Sequence, residues 1–217
     1  MPNLEEFAHY EIDGLILLDT SILGATGKIK LSEERINPED ISLTKIEKSL
    51  RTIKTLENIQ RKHKIRIIPE VYKEIERYLV LVNYLSQQIE LANKIESETQ
   101  FFLKDYSNNL YRLFRSLTKN KTPAFSNQSD IRRYGVFLKL TSYLSSQKEN
   151  TDEFGSMLNT DNKIIAAGFT HAYREPVHIL TNDIGLMEKI GKIYRRLNQE
   201  AHETEIIPEH SINCYST

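Results

Sequence analysis

"LILLDTSIL", residues 15 to 23, decides how this chain is read. Four apolar residues, Leu15 to Leu18, run without a polar alternation and end on a carboxylate, Asp19, which two hydroxyls, Thr20 and Ser21, follow at once. An unbroken apolar run of this length predicts a short strand buried on both faces, the usual state of a strand inside a parallel sheet. Ligands of open parallel sheets sit just beyond the carboxyl ends of the strands. Asp19 therefore stands where such a site begins, although an aspartate there also starts a turn or caps a helix.

Outward from this strand, "ISLTKIEKSLRTIKTLENIQRK" predicts a helix with Ile46, Leu50, Ile53 and Leu56 on one face, and Thr44 with Glu47 fits a capping box. "KIRIIP" predicts a second strand, ended by Pro69, which is well placed to open the next helix. There Val71, Ile75, Tyr78, Val82, Leu85, Ile89 and Ala92 form a heptad seam that needs a helical partner. Residues 84–150 read as a helical block, and the seam's length predicts an arm extending from the sheet domain, buried by the two helices that follow. Beyond it, "NKIIAAGFTHAYRE" predicts a helix, "PVHILTND" a third strand, "IGLMEKIGKIYRRL" a helix and "ETEIIPE" a last strand. Strands alternating with helices predict an α/β domain with a parallel sheet flanked by helices, spanning 1–217 and carrying an insertion at 84–150.

The 217 residues are 39% hydrophobic and 27% charged, with a formal net charge of −1, so local patches rather than overall charge must attract any polyanion. One cysteine, Cys214, allows no disulfide within the chain and suits a reducing, cytoplasmic compartment. The acidic start "MPNLEEFAHYEIDG" lacks the basic and apolar regions of a signal peptide, and no apolar run approaches the roughly 20 residues that span a bilayer.

Four acids share one predicted setting. Asp19 and Asp183 follow the first and third strands. Glu74 lies early in the helix after the second strand, and Asp161 tops the buried stripe Ile164, Ile165 and Gly168. Singly, Asp161 and Asp183 read equally well as helix caps and Glu74 as a solvated charge near a helix start. Together they predict carboxylates meeting at one edge of a sheet, where they would raise one another's pKa. Lys163 follows Asp161, but no basic residue adjoins Asp19 or Asp183. Hard divalent cations, Mg²⁺ or Mn²⁺, are the natural counter-charge for such an oxygen-rich set.

"LILLDTSIL", "IIPEVYKEIERYL", "NTDNKIIAAG" and "VHILTND" resemble, in order, the four motifs of the PIN domain, a family consisting largely of metal-dependent ribonucleases related to flap endonucleases. The resemblance covers about residues 13–83 and 157–208 and leaves out the helical block. It implies a Rossmann-like three-layer fold and an endonuclease that cleaves RNA. It also implies Mg²⁺ or Mn²⁺ held by Asp19, Glu74, Asp161 and Asp183, with Thr181 orienting Asp183 or a water. Glu70 lies one turn before Glu74; the resemblance favours Glu74, which precedes an apolar residue as in "KEIERYL". The unmatched block leaves the substrate open, and with it a protein partner or a second copy docked through the insertion.

Two other classes fit part of this pattern. A haloacid-dehalogenase-type phosphatase also places an Asp after its first strand, but a second Asp two residues on, where this chain has Ser21. A non-catalytic PIN-like module would keep the fold and bind RNA or protein. His63, His171, His178, His202 and His210 show no zinc-ligand spacing, and "GATGK" lacks the spacing of a phosphate loop. Basic residues cluster at Arg61, Lys62, Lys64 and Arg66, and at Lys189, Lys192, Arg195 and Arg196. Arg112, Arg115, Arg132 and Arg133 are expected to face outwards or towards the site, where they would guide RNA.

Overall fold

β1 (Leu15–Leu18) is buried at all four positions and lies at the middle of a four-stranded, all-parallel sheet. The computed structural model describes residues 3–23, 43–87, 97–120, 125, 127–149, 159–200 and 207–217. Strand order is β2-β1-β3-β4, with β2 at Ile65–Arg66, β3 at Val177–Leu180 and β4 at Ile212–Tyr215. Ile16 pairs with Ile65 on one side of β1, and Leu15 to Leu18 pair with Val177 to Leu180 on the other. From β1 the chain first winds outwards to β2 and then crosses back over β1 to β3. The reversal makes the gap between β1 and β3 the topological switch point, the place where open parallel sheets leave a crevice.

The described helices are α1 (Leu4–Phe7), α2 (Leu43–Lys62), α3 (Pro69–Gln87), α4 (Ser97–Leu117), α5 (Gln128–Glu149), α6 (Thr160–His171) and α7 (Ile184–Glu200). They flank the sheet, an arrangement compatible with a three-layer α/β fold. α2 buries Ile46, Leu50, Ile53, Leu56 and Ile59, the predicted stripe extended by one turn. Thr44 stands inside its first turn rather than at its cap. α6 lies against β1 and β3, and Gly168 permits the close approach: a Cβ there would already touch Ile179 Cδ1 at 3.4 Å.

The helical block packs against these layers instead of reaching away from them. α4 lies on α2 and α3, and α5 lies on α6 and touches α7. Tyr106 and Phe137 are wholly buried, and Leu103, Leu110, Leu113 and Leu117 are buried beside them in the one core. Burial of side chains of this size stabilises the fold by roughly 1.5–3 kcal/mol each, which is why apolar stripes this strong end up on the sheet-flanking helices. Tyr78 of the predicted seam meets the hydroxyl of Tyr106 at 2.9 Å, and Tyr106 donates to the Leu23 carbonyl at 2.8 Å. Val71, Ile75 and Val82 are buried as the seam requires. The side chain of Leu85, and Ile89 and Ala92, lie outside the described residues, as does "GATGK".

The last strand differs from the expectation. Of "ETEIIPE", residues 203–206 lie outside the described residues and 207–209 are not strand; β4 is instead "INCY". It is an edge strand with only Ile212 buried, so its sequence carries little apolar signal. Cys214 accordingly sits in a strand rather than in a loose tail, and burial pushes its thiol up to about 11. The amino-terminal segment covers this edge: Leu4 N–H donates to the Ser216 carbonyl at 2.9 Å, and Phe7 packs on Tyr215 with ring centroids 4.1 Å apart. At the other end of the sheet Gly14 adopts φ +100°, which brings Leu15 N–H to the Pro176 carbonyl at 2.8 Å. No described helix is long and apolar enough to cross a membrane.

Candidate functional site

β1 and β3 both end at the switch point, and each delivers a carboxylate there. Asp19 follows β1 directly, and its N–H donates to the Leu180 carbonyl of β3 at 3.0 Å, locking the two strand ends together. The residue is only 3% exposed. Its Oδ2 accepts hydrogen bonds from the Ser21 hydroxyl and from the Thr181 hydroxyl, the latter at 2.6 Å. Thr181, wholly buried, also accepts the Asp183 N–H at 3.0 Å, and Ser21 accepts the Asn182 N–H at 2.9 Å. Each hydroxyl has one proton, so giving both to Asp19 Oδ2 leaves them 3.0 Å apart as acceptors for backbone donors. Oδ1 keeps only a 3.5 Å contact from Thr20 and is the less engaged oxygen.

Glu74 is held from two sides. Thr20 donates to its Oε2 at 2.6 Å, and Thr160, the first residue of α6, donates to its Oε1. Thr20 thus stands between Glu74 and Asp19 and gives its one proton to Glu74, and Thr160 ties Glu74 to the helix that carries Asp161. Glu70, one turn earlier, is taken by Lys163 at 2.9 Å and belongs to an ion pair outside this hydroxyl network. Asp161 is not the cap of α6: Asn159 fills that place and accepts the Asp161 N–H at 2.8 Å, so the Asp161 carboxylate is left for the site. Asp183 does cap α7, accepting the Leu186 N–H on Oδ1 at 3.1 Å. Gly185 makes room for that cap, because a Cβ there would lie 3.0 Å from Asp183 Oδ1.

The electrostatics tie the four together. Burial raises the Asp19 pKa above 3.8, with repulsion from Glu74 and Asp183 adding to it and the Ser21 and Thr181 hydrogen bonds opposing it. Asp161 is pushed up to about 6, first by burial, then by Asp19 and Asp183, with a smaller push from Glu74; Lys189 pulls the other way. Lys189 Nζ stands 3.9 Å from Asp161 Oδ2. The donors here are carboxylate and hydroxyl oxygens, chemistry that suits a hard divalent cation. Among the described residues, no three His, Cys, Asp or Glu side chains are gathered closely enough to hold an ion unaided.

Thr160 on Glu74 and Gly185 under the Asp183 cap escaped the sequence reading, which singled out Thr20, Ser21 and Lys189 but not their pairing with Glu74, Asp19 and Asp161. The run of two hydroxyls behind Asp19 was the signal for Thr20 and Ser21, and the basic cluster on the last helix the signal for Lys189; Thr160 carries none at sequence level.

Of the arginines of the helical block, Arg112, Arg115 and Arg132 are exposed, and Arg133 is half-buried. Arg133 stacks on the Tyr173 ring, 4.1 Å from its centroid, and stands 3.6 Å from Asp130. Arg174 also binds Asp130, and Arg112 bonds to Asn109. Tyr173 lies beyond the far end of α6, roughly 18 Å along the helix direction from Asp161. Arg133 is thus structural and remote from the carboxylates.

No family model, curated protein or solved structure matches the chain.

Proposed function

We propose that the chain is a metal-dependent nuclease of PIN-like type that cleaves phosphodiester bonds in RNA. The observation that carries this reading is the gathering of Asp19, Glu74, Asp161 and Asp183 at the switch point, where burial first and then repulsion from the other three raise Asp161 to about 6. Acids brought from four separate segments of chain, against mutual repulsion, are a cost that a bound cation would offset. Asp19, Glu74, Asp161 and Asp183 would hold Mg²⁺ or Mn²⁺. Bound there, such a cation supplies a nucleophilic hydroxide from water near neutral pH and neutralises charge developing on the phosphate. The chain's own part is positional. Ser21 and Thr181 fix Asp19 through Oδ2 and leave Oδ1 for ligation, while Thr20 and Thr160 fix Glu74. Thr181 thereby orients Asp19 through its hydroxyl and Asp183 through the backbone.

A phosphatase in which Asp19 is the nucleophile has less support. Its Oδ2 is capped by two hydroxyls, and the residue two positions on is Ser21, a hydrogen-bond donor to Asp19 rather than a general acid.

The test is incubation of labelled single-stranded RNA with the protein and Mn²⁺, with and without EDTA, beside the Asp19→Asn variant. Expected is cleavage that EDTA abolishes and that Asp19→Asn, still folded by circular dichroism, loses by at least about a thousandfold. Intact RNA together with turnover of a phosphomonoester overturns the reading in favour of a phosphatase. Intact RNA that is nevertheless bound, with no turnover of either substrate, overturns it in favour of a binding module.

A further inference from the structure

We propose that Lys189 is a phosphate-contacting residue: its ammonium balances the carboxylates while the site holds no cation and turns to the substrate phosphate once a cation is bound. This rests on the nuclease reading for its substrate, but on geometry for its place. Lys189 sits on α7, less than two turns beyond Asp183. Its side chain is only 14% exposed, less than the 28% of Asp161 opposite. Lysines are seldom buried this far without a firm partner. Lys163 has one, at 2.9 Å from Glu70. Lys189 does not: 3.9 Å to Asp161 is beyond hydrogen-bond length, and among the described residues its ammonium makes no hydrogen bond. The ion pair is loose, an ammonium facing Asp161 without a dedicated bond to it. Among the described residues, Lys189 is also the cation that opposes the repulsion on Asp161.

That placement matters for an anionic substrate. A phosphodiester approaching four carboxylates is repelled unless positive charge is present that is not already bonded to a carboxylate. An ammonium with its three donors uncommitted, on a flexible stem beside the acids, meets that need as a point charge for phosphate.

The experiment uses the full chain as wild type, Lys189→Met, which keeps the apolar stem, and Lys189→Arg, which keeps the charge. Calorimetry measures Mn²⁺ alone, then adenosine monophosphate in saturating Mn²⁺, and RNA cleavage is followed separately. Lys189→Met should bind Mn²⁺ more tightly, by roughly three- to tenfold, because a competing positive charge is gone. It should bind the nucleotide about tenfold more weakly. Lys189→Arg should stay near wild type in both. A purely structural lysine would not tighten Mn²⁺ binding. Unchanged Mn²⁺ affinity removes Lys189 from the field of the acids, and undiminished nucleotide binding removes the phosphate contact; either result overturns the proposal. If both binding shifts appear while the wild type leaves RNA intact, the nuclease reading falls and the assignment of Lys189 stands.

Discussion

Asp161→Asn should make the cation-free protein more stable, and only above a defined pH. The Asp161 carboxyl titrates at about 6 in the fold against its ordinary 3.8. Below 3.8 it is protonated both folded and unfolded, and its charge costs nothing. Between 3.8 and about 6 the unfolded chain releases the proton while the folded protein still holds it, so stability falls as pH rises. Above about 6 the full penalty applies. The separation of the two values corresponds to about 3 kcal/mol. With the Asp161 side chain 28% exposed, solvent screening lowers this to about 2 kcal/mol. For a chain of this size that is a rise in Tm of roughly 4–8 °C.

The assay is thermal unfolding of wild type and Asp161→Asn in EDTA at pH 3.5, 5, 7 and 8. Asparagine keeps the shape and removes the charge, so the difference in Tm should be near zero at pH 3.5 and grow through pH 5 to a plateau above pH 7. Saturating Mn²⁺ should then raise the wild type more than the variant and shrink or reverse the gap, since ligand binding stabilises only the protein that binds it. A variant that is less stable at pH 8, or equally more stable at pH 3.5, would refute the idea that the fold holds the Asp161 charge against burial and the repulsion of its neighbours.

Two further outcomes follow from the geometry. Glu74→Gln should lower Mn²⁺-dependent cleavage by at least about a hundredfold, and Glu70→Gln by no more than a fewfold, because Glu70 is spent on Lys163; comparing the two rates decides which glutamate serves the site. Gly14→Ala should destabilise by about 3 kcal/mol or more in urea unfolding, since its Cβ would lie 2.0 Å from the Pro176 carbonyl oxygen at a backbone φ of +100°; an unchanged midpoint would show that the β1–β3 entry can relax.

What the sequence made legible is what local pattern determines. β1 could be read because four consecutive apolar residues admit few other fates, and the α2 stripe because Ile46, Leu50, Ile53 and Leu56 keep helical spacing over three turns. The places of Asp19 and Asp183 followed from strand ends, since both fall where a parallel strand stops. β4 could not be read, because "INCY" at an edge needs only one buried side chain, whereas the apolar pair in "ETEIIPE" looked stronger and ends on Pro208. The helical block looked like an arm because seam length was counted without its destination; α4 and α5 have their own buried stripes, and those found the flanking helices.

The hydroxyl network lies further still from local pattern. Ser21 to Thr181 spans 160 residues of sequence and Thr160 to Glu74 spans 86, so only the closed sheet brings them together. Yet this network decides what the acids can do. Without Thr181 and Ser21, Asp19 would be a buried carboxylate without hydrogen-bond donors, and burial alone would drive it towards the neutral form. With them the hydrogen bonds oppose that rise and orient the carboxylate, with Oδ2 committed and Oδ1 less engaged. On the proposed reading, the four hydroxyls of Thr20, Ser21, Thr160 and Thr181 fix two of the four carboxylates, Asp19 and Glu74, before any cation arrives.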